Sequence, residues 1–156
     1  ARNILGFKDA HSEEVDTKSK HKIIHSIPFN EKYQRIKGDG TSMRLGSFDC
    51  LIKKGTIAYQ VYDKYDQWQG KKGVISERHR HRFEFNNDYR KELEKQGLII
   101  SGTSRDNFFV EMIELPKTIH PFFVATQAHP EYKSTPWKPH GLFLELLQQA
   151  LIFKQA

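Results

Sequence analysis

Short apolar runs separated by turn residues fill the first two thirds of the chain, and their period of two predicts strands rather than long helices. "HKIIHSI" (His21–Ile27) reads as a short strand that Pro28 ends. "FNEKYQRIKGDGTS" is polar and contains Gly38 and Gly40, a loop leading into "MRLGSFDCLI". "GTIAYQVY" (Gly55–Tyr62) fits a strand or a short helix, and "DKYDQWQGKKG" after it has the composition of a surface loop. "ERHRHRFEF" (Glu77–Phe85) alternates too strictly for a helix. As one strand it places Arg78, Arg80, Arg82 and Glu84 on one face, with His79, His81, Phe83 and Phe85 on the other.

From Asn86 the period lengthens. Asn86 or Asn87 caps a helix in which Tyr89 and Leu93 share a face and which Gly97 ends. "LII" (98–100), "FFVEMIEL" (108–115) and "PFFVATQ" (121–127) return to strand character. In "GLFLELLQQALIF", Phe143, Leu146, Leu147, Ala150 and Leu151 fall at helical spacing, which predicts an amphipathic closing helix. Strands with interspersed helices place the chain in the α/β class.

Composition narrows the picture modestly. The chain has 156 residues, 37% of them hydrophobic, which suits one domain or a large piece of one with a thin core. Its single cysteine, Cys50, excludes internal disulfides and fits a reducing, cytoplasmic setting. No apolar run reaches the roughly 18 residues of a membrane span. The start, "ARNILGFKDAHSEE", lacks both Met and the basic-then-apolar layout of a signal peptide. A net charge of +6 favours anionic partners without choosing among nucleotides, phosphates and nucleic acid.

Three stretches carry candidate chemistry. In "ATQAHPEYKSTP", Pro130 biases His129 towards an extended backbone, so His129 and Glu131 would point the same way. A glutamate there can accept the imidazole Nδ1–H and leave Nε2 to take a thiol or hydroxyl proton, the base-and-orienter half of a triad. A surface turn whose His and Glu face water is the competing reading. "ERHRHRFEF" serves equally as an edge strand, as arginines on phosphates beside stacking aromatics, or as one arginine held bidentate on a small carboxylate. Its alternating histidines lack companions at metal-ligand spacing, so no metal site is expected. "HSEEVD" supplies a carboxylate for an ammonium group or is a solvated loop, and "GDGTSMRLG" offers backbone N–H groups beside Arg44 without a P-loop ending.

Together, "ARNILG…DAHSEE", "GTSMRLG", "ERHRHRFEFNN", "GLIISGTSRD", "VEMIELP", "HPFFVATQAHPEYKSTP" and "KPHGLF" occur in an order that resembles the C-terminal, class I (Cys-His-Glu) glutamine amidotransferase domain of the CTP synthase family. The likeness runs from Ala1 to about Ala150. It implies a flavodoxin-like open sheet of which this chain is the C-terminal portion. It also implies a glutaminase: a cysteine thiolate attacks the side-chain amide of glutamine, ammonia leaves, and the thioester is hydrolysed. Ammonia then reaches a synthase domain that uses ATP to aminate UTP to CTP. By match to the family's motifs, His129 is the general base and acid and Glu131 orients it. Arg82 holds the α-carboxylate of glutamine, Glu14 its α-ammonium, and Arg44 lies in the segment linked with GTP activation. No cofactor is expected in this domain, whereas ATP, Mg and the GTP effector are expected for the complete enzyme. The partners implied are glutamine, the remaining synthase polypeptide and further copies in a homo-oligomer, with no nucleic acid and no membrane.

The chain departs from the pattern in ways that matter. The family's nucleophile elbow and synthase domain lie upstream of the position matching Ala1, so residues 1–156 read as a partial amidotransferase domain that is inactive in isolation. Cys50 matches no catalytic position and is expected to be a half-buried, unreactive thiol. Ser42 is an extra residue within "GTSMRLG", and Ala128 stands where an aromatic is usual, which removes bulk beside His129. A non-catalytic amidotransferase-like binding or regulatory module is the alternative, and a basic nucleic-acid binder a third reading whose affinity would fall steeply with salt.

Overall fold

Strand β4 (Ser42–Ile52) is the longest among the described residues and the one on which the main sheet is assembled. The computed structural model describes residues 1–27, 34–35 and 42–155, with 34, 35 and 42 described by backbone alone. The readings made at Pro28, on the loop holding Gly38 and Gly40, and on the Ser42 side chain lie outside the described residues. Along most of its length β4 pairs antiparallel with β5 (Val74–His81), in register from Arg44↔His81 to Leu51↔Val74. β3 (Gln34–Arg35) pairs with its start and β7 (Ile99–Thr103) with its end. β8 (Val110–Glu114) and β9 (Val124–Thr126) follow antiparallel on β7. A second sheet holds β1 (His11–Ser12) parallel to β2 (Lys22–Ser26), which pairs antiparallel with β6 (Phe83–Phe85).

"GTIAYQVY" resolves as helix α1 (Ile57–Lys64). Thr56 caps it by accepting from Tyr59 N, and the buried Glu114 carboxylate accepts from the amides of Ile57 (2.7 Å) and Ala58 (3.0 Å). A strand residue thus satisfies the helix's first donors, which no local pattern announces. α1 packs Ile57, Ala58, Val61 and Tyr62 against Cys50, Ile52, Ile75 and Met112. Each large side chain among them contributes about 1.5–3 kcal/mol. The loop after α1 is held down by Trp68, whose ring lies 4.9 Å from that of Tyr59.

Asn86 caps a single 3-10 turn (Asn87–Tyr89) that continues as α2 (Arg90–Lys95), and Gly97 ends it at φ 95°. Leu93 joins Phe85, Ile100 and Val110 in a second core cluster.

Two sequence expectations need correction. "ERHRHRFEF" is not one strand. The chain bends at Arg82, where β5 leaves the main sheet and β6 enters the other. Serving two sheets breaks the alternation, so Glu84 is buried beside Phe85 instead of sharing the arginine face, and its Oε1 lies 3.5 Å from His25 Nε2. The closing helix α3 (Gly141–Gln155) forms as the spacing predicts, yet its apolar stripe faces out. Phe143, Leu146, Leu147 and Leu151 are exposed, and Leu142 and Glu145 are the large side chains it buries. The inward side is polar: Lys64 Nζ reaches Glu145 (2.7 Å) and Gln148 (2.6 Å). Among the described residues no helix is long and apolar enough to cross a membrane.

Candidate active site

Three residues past the end of β9 stands His129, and its Nδ1 lies 2.6 Å from Glu131 Oε1. The two side chains meet as the spacing suggests, though not by strand alternation. Pro130 opens a one-turn 3-10 helix (Pro130–Lys133), for which its fixed φ is suited, and His129 is the residue before it. The tight turn brings the carboxylate back onto the ring. The His129 amide donates to Arg78 O (2.8 Å), which ties the segment to β5. The hydrogen bond from His129 holds the Glu131 carboxyl below its ordinary range. With Nδ1 engaged, Nε2 is the nitrogen left for a reacting group. Both side chains are accessible, at 36% and 51% exposure.

A cavity of about 660 Å³ is lined by Glu14, Ile24, Met43, Arg80, His81, Arg82, Phe83 and Gln127. The fold therefore brings Glu14 and Arg82, 68 positions apart in sequence, to one concave surface. Gln127 carries its rim to within two residues of His129. Glu14 sits in the turn after β1 and is exposed. Its neighbour Glu13 is committed elsewhere, bonding Lys22 Nζ (2.6 Å) and Ser26 N (2.8 Å), which draws its carboxyl down to about 2. Of the two acids in "HSEE", Glu14 is the one that opens to the cavity.

Arg44 is placed differently from a surface anion contact. It is buried at 1% exposure with Nη1 2.6 Å from Glu111 Oε1, and its guanidinium lies 4.3 Å from the ring centres of both Phe48 and Phe109. Cys50 is buried more fully than the half-buried thiol expected, at 2% exposure, and desolvation raises its pKa far above the thiolate range. It packs in the core with Ile52, Ile75 and Met112.

Sequence reasoning missed the buried polar partners behind the site. Glu77 accepts from Tyr62 OH (3.3 Å) and His140 Nε2 (3.1 Å), and His140 Nδ1 accepts from Leu142 N (3.2 Å). This clasp joins β5, α1 and the start of α3, at the far end of the segment that begins with His129. The "KPHGLF" motif held the signal for His140, and Gln127 and His81 were legible only as neighbours of the chosen residues.

Residues 11–149 match the model of the family described as glutamine amidotransferase class-I. The chain belongs to that family. CTP synthase from Staphylococcus aureus (strain NCTC 8325 / PS 47) is 44% identical over 155 residues, covering 99% of this chain and 26% of the relative. The same enzyme from strain JH9 of that species is equally similar over the same span. The glutaminase domain of Trypanosoma brucei CTPS with bound acivicin superimposes with a TM-score of 0.79 at 33% identity, covering 96% of this chain and 53% of that one. This class I amidotransferase chain thus spans about a quarter of the length of the curated relatives it matches. The α/β class and the amidotransferase fold read from the sequence both hold.

Proposed function

We propose that this chain is the glutamine-handling portion of a CTP synthase and that the cavity takes the amino-acid end of glutamine. The observation that carries the reading is the convergence of Glu14 and Arg82 on one cavity, whose lining residue Gln127 lies two positions before the His129–Glu131 pair in the chain. Arg82 pairs with the α-carboxylate and Glu14 with the α-ammonium, as planar guanidinium and carboxylate geometry favours. His129 takes the proton of a cysteine thiol through Nε2, while Glu131 fixes the ring and balances the imidazolium. The thiolate forms a bond to the amide carbon. The C–N bond then breaks as His129 returns the proton to the departing nitrogen, and water activated by the same imidazole cleaves the thioester.

Cys50 does not supply that thiolate, because it is sealed in the core and its thiol is held protonated. The nucleophile therefore comes from sequence beyond residues 1–156, and this chain alone is inactive. Released ammonia serves the synthase portion, where ATP, Mg and UTP are used. The guanidinium of Arg44 is committed to Glu111, so any part it has in the GTP response runs through the placement of its segment. Assembly into a homo-oligomer and a cytoplasmic location complete the reading.

The test is glutamine hydrolysis by the full-length protein and by Arg82→Ala and His129→Ala variants. Arg82→Ala is expected to raise KM for glutamine by about a hundredfold, as loss of a bidentate charge pair does. His129→Ala is expected to abolish turnover while glutamine binding by calorimetry persists. Unchanged KM in the first variant would refute the pocket, and full turnover in the second would refute the base.

A further inference from the structure

The arginine assigned to the α-carboxylate sits on the bend between two sheets, unpaired itself but flanked by His81, paired with Arg44 in one sheet, and Phe83, paired with Ser26 in the other. A side-chain link adds to what those ladders fix. β5 ends at His81 and β6 begins at Phe83, so the bend is the single residue Arg82. His81 Nδ1 lies 2.8 Å from Phe83 O, a bond that spans the bend from one strand to the other. A carbonyl only accepts, so that nitrogen carries the proton and His81 Nε2 presents a lone pair. His79 Nδ1 stands 3.1 Å from this lone pair and must be the donor. With both rings neutral, as burial keeps them, each imidazole is protonated at Nδ1 and directed the same way.

The inner end of this series is fixed by packing. His79 is 2% exposed and stands edge-on to Phe48 with ring centres 5.6 Å apart, while the Nδ1 that serves His81 also lies 3.8 Å from Glu111 Oε2. The outer end is His81, which lines the cavity together with Arg82 and Phe83. The same bend is tied on its other side by Ile27 N donating to Arg82 O at 2.7 Å.

We propose that His79 and His81 are positioning residues of the glutamine pocket, two imidazoles in series that brace the bend at Arg82 against the buried core. The proposal rests on the reading of Arg82 as the carboxylate-binding residue. An imidazole suits the task because it accepts on one edge and donates on another within a rigid plane. A phenyl ring of similar size does neither. Protonation of His81 at Nε2 would place two donors face to face between His79 and His81, with the Arg44 guanidinium and His129 adding to the repulsion. Burial first, and those charges second, hold the two rings down at about 3 and about 4. The brace therefore keeps one hydrogen-bond direction throughout the range in which an ordinary histidine titrates.

The experiment measures kcat and KM for glutamine in the full-length protein carrying His81→Phe, His81→Asn, His79→Asn or Arg82→Ala, with circular dichroism melts alongside. His81→Phe is expected to raise KM by about tenfold with kcat within about twofold, the worth of one hydrogen bond acting through placement of Arg82. His81→Asn and His79→Asn, whose Nδ2 can stand in for the Nδ1 donor, are expected to recover most of that loss. Wild-type KM in His81→Phe, or a fall in kcat with KM unchanged, would overturn the brace while a raised KM in Arg82→Ala leaves the pocket reading standing. Wild-type KM in Arg82→Ala would overturn both. If His81→Phe does not fold, His81→Gln decides: it keeps a group near the Nε2 position and gives up the contact to Phe83, so KM is expected to rise, and an unchanged KM would end the proposal.

Discussion

Arg44 of β4 and Glu111 of β8 meet at 2.6 Å in the interior, each side chain only 2% exposed. The guanidinium lies between the Phe48 and Phe109 rings, so its faces are covered as well as its edge. Burial nonetheless raises the Glu111 carboxyl above its ordinary range, with Arg44 pulling in the opposite direction. Desolvation therefore outweighs attraction for this pair, and the pair is better understood as mutually dependent than as strongly stabilising.

Removing one member alone should cost the most. Arg44→Met is expected to destabilise by about 3–5 kcal/mol, because it strands a carboxylate in the core. The double variant Arg44→Met with Glu111→Leu should recover most of that loss. Thermal melts of the two variants check the order, and a single variant no less stable than the double would contradict it.

Stability should also fall with acid earlier than carboxylate protonation requires. The His79 and His81 pKa values are depressed from 6.5 to about 3 and about 4, so between those limits the unfolded chain binds more protons than the folded one. Their contribution is complete above pH 6.5 and is lost as pH falls through the window towards 4 and then 3. Urea unfolding at pH 7 and pH 5.5, where carboxylates in their ordinary range scarcely titrate, is expected to show the decline. Replacing both rings (His79→Leu with His81→Asn) should flatten it.

Cys50 and Gly102 form a contact with no slack. A Cβ placed on Gly102 would meet Cys50 Sγ at 2.7 Å, with Ile52 Cδ1 and Met112 Cβ both at 3.1 Å. Gly102→Ala is expected to cost about 1–3 kcal/mol by overpacking, and adding Cys50→Gly to return part of it. Alkylation by iodoacetamide in the folded protein should be slow and become fast only in denaturant, as suits a buried, protonated thiol.

Which residues of the proposed site lie together was legible in part from the sequence, and the reasons differ by residue. Short-range relationships were the easiest: Asn86 and Gly97 bound a helix through local capping chemistry, and the two-residue spacing of His129 and Glu131 does bring their side chains together. The backbone that achieves this is a 3-10 turn, a reminder that spacing constrains a meeting without dictating its geometry. Glu14 and Arg82 were readable through the family's motifs alone, since nothing in the local pattern links two residues so far apart. Glu84 and the outer side of α3 were misread for one shared cause. Periodicity reports which residues align on a face, whereas the sheet hand-off at Arg82 and the polar contact of α3 with Lys64 decide which face turns inward. Arg44 was invisible as a core residue because a buried arginine is legible only when its distant carboxylate is known.

Under the proposed function, orientation of the His129 ring should matter separately from binding. Glu131 bonds His129 and does not line the cavity. Glu131→Ala is expected to lower kcat for glutamine by about 10²–10³ with KM within about threefold in the full-length protein. Steady-state kinetics separates the two parameters, and a variant raised in KM alone would move Glu131 from orienting the base to contacting substrate.

The outward hydrocarbon of α3 governs how these 156 residues behave in bulk water. Leu146, Leu147, Leu151, Ile152 and Phe153 stand more than half exposed on neighbouring turns, close to Trp137 in sequence and without a counter-surface among the described residues. Kosmotropic salts strengthen the attraction between such faces while screening the repulsion from the net charge of +6. An outward apolar face of this kind favours self-association, and low-sulfate buffers weaken that tendency.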